Sequence, residues 1–206
     1  MGFWNSLYEA RIETNKPGIT GFIQDLLKLL SPLLSLQPFY EETRTCYACG
    51  LEGKPRLRWS LPMQILEITQ MRLKSVQEYF TWYVSNKHFQ LCDICLSNQT
   101  EILYQYNLEP SFIVLEFAPE SDYLEFNQEI VNIETRSKFQ LVATINQPTA
   151  NHFNCGIYDP QTEGKKFHIK GWTLHDGLEN AGSLIKLANL NQLWKQRPFV
   201  LFYEKV

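Results

Sequence analysis

The reading turns on Cys46-Tyr47-Ala48-Cys49-Gly50, taken together with Cys92-Asp93-Ile94-Cys95. Each is a Cys-x-x-Cys pair, and 42 residues lie between them. A two-residue spacer turns both thiols to one side of the chain, so each pair can fill two corners of a tetrahedron. Gly50 supplies the backbone freedom that such a knuckle often requires. Two knuckles at the ends of a strand-rich excursion read as a zinc ribbon, with one Zn(2+) per chain held by Cys46, Cys49, Cys92 and Cys95. Four thiolates leave no open coordination position, so the expected zinc is structural and not catalytic. A redox pair is the competing reading of either knuckle, but no thioredoxin-like βαβ pattern surrounds them.

The rest of the composition bounds the class. The chain has 206 residues, 44% hydrophobic and 20% charged, enough for one sizeable core and unlike a disordered segment. A formal charge of -3 disfavours a strongly basic nucleic-acid binder. The richest apolar run, Phe22 to Leu36, is broken by Asp25, Lys28 and Pro32, so no membrane span is expected. The opening Met1-Gly2-Phe3-Trp4-Asn5 has no basic region followed by an apolar stretch, so no signal peptide is expected either. Paired cysteines without such a leader imply a reducing compartment, cytoplasm or nucleus.

Periodicity gives the element types. Apolar residues at helical spacing predict a helix from Ile19 to about Leu30, ended by Pro32. Alternation predicts strands at Leu57–Leu61 and Met63–Ile68. Val76, Tyr79, Phe80 and Tyr83 form a helical stripe over Ser75–Val84, with Ser75 as N-cap. Strands are expected at Glu101–Tyr106, Ser111–Phe117, Lys138–Ile145, Phe153–Tyr158, Lys166–His175 and Pro198–Tyr203. Turns are expected at Asn107–Pro110, Asn146–Ala150 and Asp159–Gly164. Helices early and antiparallel strands late make an α+β protein.

One further pair carries chemistry. His152 opens one predicted strand and Asp176 closes the next, so antiparallel neighbours would bring them together. A carboxylate that orients an imidazole is the base-and-orienter half of a serine or cysteine hydrolase. On spacing alone, a structural histidine and a turn Asp-Gly is the plainer reading. Cys155 is three residues beyond His152, hence on the opposite face of a strand, and reads as a small buried hydrophobe.

In their order, these segments resemble the ubiquitin-specific protease family of papain-like cysteine deubiquitinases. The knuckle spacing is similar to that of the family's fingers. Trp59-Ser60-Leu61-Pro62-Met63, Leu73 to Phe80, and Thr100 to Phe117 with Leu108-Glu109-Pro110 follow the family's order. Phe139 to Ile145 looks like the strand before the catalytic His, Asn151-His152-Phe153 like the Gly-His-Tyr motif, and Trp172 to Asp176 like the Trp…Asp motif. Phe199 to Tyr203 looks like the closing strand. The resemblance implies a single domain over 1–206: a reduced thumb at 1–35, zinc-ribbon fingers at 36–110 and a palm at 111–206. It implies an antiparallel palm and fingers sheet, with His152 as general base and Asp176 as its orienter. Phe3-Trp4-Asn5-Ser6 looks like the tail of the Cys-aromatic-x-Asn-Ser motif, which places the nucleophile position on Gly2. Glycine cannot attack a carbonyl, so this chain as written is expected to be inactive.

Three functions follow as expectations. The first is a cysteine deubiquitinase that cleaves isopeptide bonds of ubiquitin or a ubiquitin-like protein, with its nucleophile missing or substituted at Gly2. The second is a natural pseudoprotease that binds or scaffolds such a modifier, SUMO-type modifiers included. The third is a zinc-ribbon nucleic-acid binder, favoured only by the local basic residues Lys54, Arg56, Arg58, Arg72 and Lys74. The region Glu179–Gln196 reads as an insertion whose Leu184, Leu187, Leu190 and Leu193 serve packing.

Overall fold

The computed structural model describes residues 27–28, 31, 37–63, 65–86, 88–92, 94–107, 110–117, 124–149, 152–159, 171–176, 184–187 and 190–206. The predicted helix Ile19–Leu30 falls almost wholly outside them, as do Gly2 and the 166–170 part of the predicted Lys166–His175 strand.

Two sheets form, both almost entirely antiparallel. The first contains β1 (Tyr40–Cys46), β2 (Leu51–Glu52), β3 (Arg56–Arg58), β5 (His88–Gln90) and β6 (Thr100–Tyr106). Its order is β2-β1-β6-β5, with β3 also on β1. The second contains β4 (Leu61–Met63), β7 (Phe112–Phe117), β8 (Glu129–Val131), β9 (Lys138–Thr149), β10 (His152–Asp159), β11 (Gly171–His175), β12 (Leu184–Lys186) and β13 (Pro198–Lys205). Its order is β12-β11-β10-β9-β13-β7-β4, with β8 also on β9; among the described residues only β4–β7 is parallel. The described residues include the helices α1 (Ile65–Met71), α2 (Val76–Ser85) and α3 (Leu190–Trp194). The α+β class is as the sequence predicts.

Helix α2 joins the sheets. Ser75 Oγ accepts from the Glu78 backbone N–H at 3.2 Å, and Glu78 Oε2 accepts from the Lys74 N–H at 2.7 Å. This side chain-to-backbone exchange satisfies the first turn. The predicted stripe of Val76, Tyr79, Phe80 and Tyr83 is buried. Tyr83 stacks on Tyr104 of β6 at 5.3 Å, while the Tyr79 hydroxyl donates to the Pro62 carbonyl in β4 at 3.0 Å. Gln77 accepts from the Val131 N–H at 2.6 Å and donates to the Val131 carbonyl at 3.0 Å, which fastens β8. One helix therefore bridges a core cluster drawn from both sheets. Tyr79→Ala should cost about 3–5 kcal/mol of stability by cavity formation. Tyr79→Phe should cost only about 1 kcal/mol, the worth of the hydrogen bond to Pro62. Urea denaturation with an unchanged m-value reads both.

Four predicted elements change. Leu57–Leu61 is not one strand: β3 ends at Arg58 in the first sheet, the chain bends at Trp59 and Ser60, and β4 begins at Leu61 in the second. Met63–Ile68 is not one strand: β4 ends at Met63 and α1 begins at Ile65. Ile65 and Ile68 are three residues apart, a helical spacing that a strand would split between its two faces. The helix ends on a left-handed residue, Arg72 (φ 55°), with Leu73 N–H donating to the Ile68 carbonyl at 3.0 Å. That is a Schellman-type cap built without the usual glycine, so no stop signal is visible. The predicted Asn146–Ala150 turn is instead strand as far as Thr149, because β9 continues beside β10 after its pairing with β13 has ended at Asn146. Pro148 lies past that last β13 pair, where no ladder bond to β13 is forfeited. The helical pattern in Glu179–Gln196 divides into strand β12 and the short α3, with Leu187 and Leu193 buried as packing residues.

Candidate functional site

The first candidate is the cysteine cluster. Cys46 ends β1, and Thr100 starts β6 directly opposite it. Thr100 is also the partner of Gln90, the last residue of β5. This shared register brings the Cys92 knuckle beside the Cys46 knuckle. The two turns are built alike. The Gly50 N–H donates to the Cys46 carbonyl at 2.9 Å, and the Leu96 N–H to the Cys92 carbonyl at 2.9 Å. Gly50 (φ 69°) and Leu96 (φ 56°) are both left-handed. Glycine adopts that conformation freely, and leucine does so at a cost of about 1–2 kcal/mol.

The four sulfur atoms lie within 4.8 Å of one another. Cys46 Sγ is 3.6 Å from Cys95 Sγ, and Cys49 Sγ is 3.8 Å from Cys92 Sγ. Tetrahedral thiolates at about 2.3 Å from a zinc ion stand about 3.8 Å apart, so the donor set is placed to hold one metal ion. Burial acts to raise the Cys46 thiol, but the backbone N–H groups of Cys49 and Ala48, with nearby Thr100, outweigh it and bring it down to about 6. The Leu51 N–H donates to Cys49, yet the neighbouring thiols push Cys49 up to about 12. A cation removes this mutual opposition by stabilising all four thiolates together.

The second candidate is on the other sheet. Antiparallel β10 and β11 pair Cys155 with His175 and Gly156 with Leu174. His152 begins β10, and Asp176 follows directly after β11, at the same end of the sheet. The His152 Nε2 is 2.6 Å from Asp176 Oδ2. Asp176 is 3% exposed and the His152 side chain 19%. An ionised carboxylate only accepts, so Nε2 carries the proton of this bond and Nδ1 is the nitrogen that can take up another. The geometry is that of an imidazole held in one tautomer by a buried carboxylate.

Cys155 lies on the face of β10 opposite the buried Asn154 and Gly156, as the strand alternation predicts. It is half-buried, however, where a small buried hydrophobe is expected. Its outer face also carries Phe153 and Ile157, and burial pushes its thiol up. A raised thiol is a poor nucleophile. Sequence reasoning passed over Asn146 and Asn154, which are buried on the other face beside this site. No periodic signal marks buried amides, and only the cross-strand register reveals them.

No protein-family model and no curated protein matches the sequence. Among solved structures, the fold is similar to the SAGA DUB module of Ubp8, Sgf11, Sus1 and Sgf73 bound to monoubiquitin. The TM-score there is 0.51 at 14% identity, over 98% of this chain and 46% of that chain. A second SAGA DUB module, with a truncated Sgf11, gives 0.50 at 14% identity, over 99% of this chain and 49% of that one. The Saccharomyces cerevisiae apo Pan2 pseudoubiquitin hydrolase-RNA exonuclease module gives 0.56 at 14% identity, over 88% of this chain and 36% of that one. The chain thus spans less than half the length of each. The likeness is one of fold: a ubiquitin-hydrolase-type α+β architecture with antiparallel sheets. Among the described residues, no helix is long and apolar enough to cross a membrane.

Proposed function

We propose that this chain is a ubiquitin-specific-protease-type module that binds ubiquitin or a ubiquitin-like protein. On this reading residues 36–110 are its fingers, 111–206 its palm and 1–35 a reduced thumb. The cysteine cluster holds one structural Zn(2+), which would brace the fingers and take no part in chemistry. His152 is the general base and Asp176 its orienter.

The reaction that such a pair serves is isopeptide cleavage by a cysteine. Nδ1 of His152 takes the thiol proton, and the thiolate attacks the carbonyl carbon after the modifier's terminal glycine. The imidazolium, held by Asp176, returns the proton to the leaving amine, and water then hydrolyses the thioester. In this chain the aligned nucleophile position is Gly2, so the step has no thiol and the module as written is inactive. The observation that carries the reading is the 2.6 Å His152–Asp176 pair, set at one end of a sheet whose fold is shared with DUB modules.

A second reading is a natural pseudoprotease, in which the same surfaces bind or scaffold the modifier. Gly2 favours it, as does fold likeness to the Pan2 pseudoubiquitin hydrolase module. Both readings require modifier binding. Titration calorimetry with ubiquitin, and with SUMO in a parallel cell, should give saturable one-to-one binding for one of them. Absence of heat with both would overturn the two readings together.

A further inference from the structure

We infer that Asn154 is a positioning residue for His152, acting through a chain of three amides, two of them buried. The inference rests on the reading of His152 and Asp176 as base and orienter. Asn146 Nδ2 donates to Asn154 Oδ1 at 2.8 Å, and Asn154 Nδ2 donates to Gln196 Oε1 at 3.0 Å. Asn146 is 0% exposed and Asn154 6%.

The chain sits where the sheet loses its regularity. Asn154 pairs with Asn146, but the next pair along, His152 with Thr149, is out of step. β9 spends three residues on the interval that β10 crosses in two. On its other side Asn146 pairs with Pro198, and that register also shifts before Val200. Bulges of this kind re-aim side chains and leave ladder bonds unmade. Here a side-chain amide bond cross-links the two strands at the last regular pair before His152. The Cys155–His175 pairing places Asn154 and Asp176 one step along on the opposite face, so the amide chain and the orienter share a face.

The far end of the chain is anchored separately. Gln196 stands in the turn after α3, where its N–H donates to the Leu193 carbonyl at 2.9 Å and the Arg197 carbonyl accepts from the Gln147 N–H at 3.0 Å. Leu193 packs on Gly156, where an added Cβ would stand 2.5 Å from Leu193 Cδ1. The turn is therefore a fixed post and not a loose acceptor. Among the described residues, Asn146 Oδ1 and Thr144 Oγ1 are buried there with no hydrogen-bond partner. Apolar residues of like shape would avoid that penalty, so stability alone does not explain these amides, whereas geometric control does.

The test reads the His152 ring itself. In protein carrying 15N-labelled histidine, the hydrogen bond to Asp176 should give a far-downfield Nε2–H resonance with slow exchange. Asn154→Leu, which keeps the branched shape and removes the amide, should speed that exchange roughly fivefold, the factor expected when one neutral hydrogen bond no longer holds the geometry. Gln196→Met should do the same from outside the sheet, and it decides the matter if Asn154→Leu does not fold. A folded Gln196→Met protein whose His152 exchange is unchanged would overturn the inference alone. Absence of the resonance from the unaltered protein would overturn the base-and-orienter reading and the inference with it.

Discussion

Replacing Cys92 with serine is expected to abolish metal binding and to unfold the tip of the first sheet, while the second sheet keeps its core. The reason lies in how little else holds that tip. Tyr47 is 64% exposed, Ile94 69% and Leu96 73%, so the knuckles bury almost no apolar side chain of their own. Leu96 also sits in a left-handed conformation that costs energy. Structural zinc sites contribute on the order of 10–16 kcal/mol in isolated fingers, far more than such a turn can supply by packing. The unaltered protein should hold about one zinc per chain, and Cys92→Ser close to none after mild chelation. Amide hydrogen exchange should rise at 46–52 and 92–100, and stay slow at Ile113, Leu115, Leu141 and Leu201. These four are fully buried in the core of the second sheet. Unchanged exchange at the tip after complete metal removal would show that the cluster is not a folding element.

The metal cluster was legible because its signal is local: two short spacings fix the donors, and the fold has only to bring them together. Helix α2 was legible for the same reason, since cap and stripe lie within ten residues. β1 was not. Its inward positions are Tyr40, Glu42, Arg44 and Cys46, so no apolar alternation shows in the sequence. Buried Glu42 is acceptable there because Arg44 meets it at 2.5 Å and Arg58, from the paired strand β3, at 3.0 Å. Those two ion pairs lower the Glu42 carboxyl against the burial that would raise it. A strand stabilised by compensated charge carries no hydrophobic pattern to read. His152 and Asp176 fall between these cases. Each residue is locally unremarked, and the order of surrounding motifs, together with the β10–β11 register, gives the pair its meaning. The amides at 146, 154 and 196 had no sequence signal, because what defines them is a register shift between strands.

Gly2→Cys is expected to gain hydrolysis of a ubiquitin C-terminal reporter where the unaltered chain shows none. Residue 2 lies outside the described residues, so the expectation comes from the motif alignment at Phe3-Trp4-Asn5-Ser6 and from the His152–Asp176 geometry. The gain must depend on that pair to mean anything, because an exposed thiol can react with an activated ester unaided. In the Gly2→Cys background, His152→Ala should therefore lose on the order of 10³-fold or more in rate. Asp176→Asn should fall by a comparable factor: with an amide beside Nε2 the ring is no longer held in the tautomer that leaves Nδ1 free to take a proton. Thiol titration should find the introduced thiol equally accessible in all three variants, which separates loss of base from loss of nucleophile. If Gly2→Cys binds the modifier but hydrolyses nothing, the pair is present without a thiol placed to use it. The pseudoprotease reading then stands over the protease one. Equal hydrolysis with and without His152 would instead remove the imidazole from the mechanism and reduce the 2.6 Å pair to a structural contact.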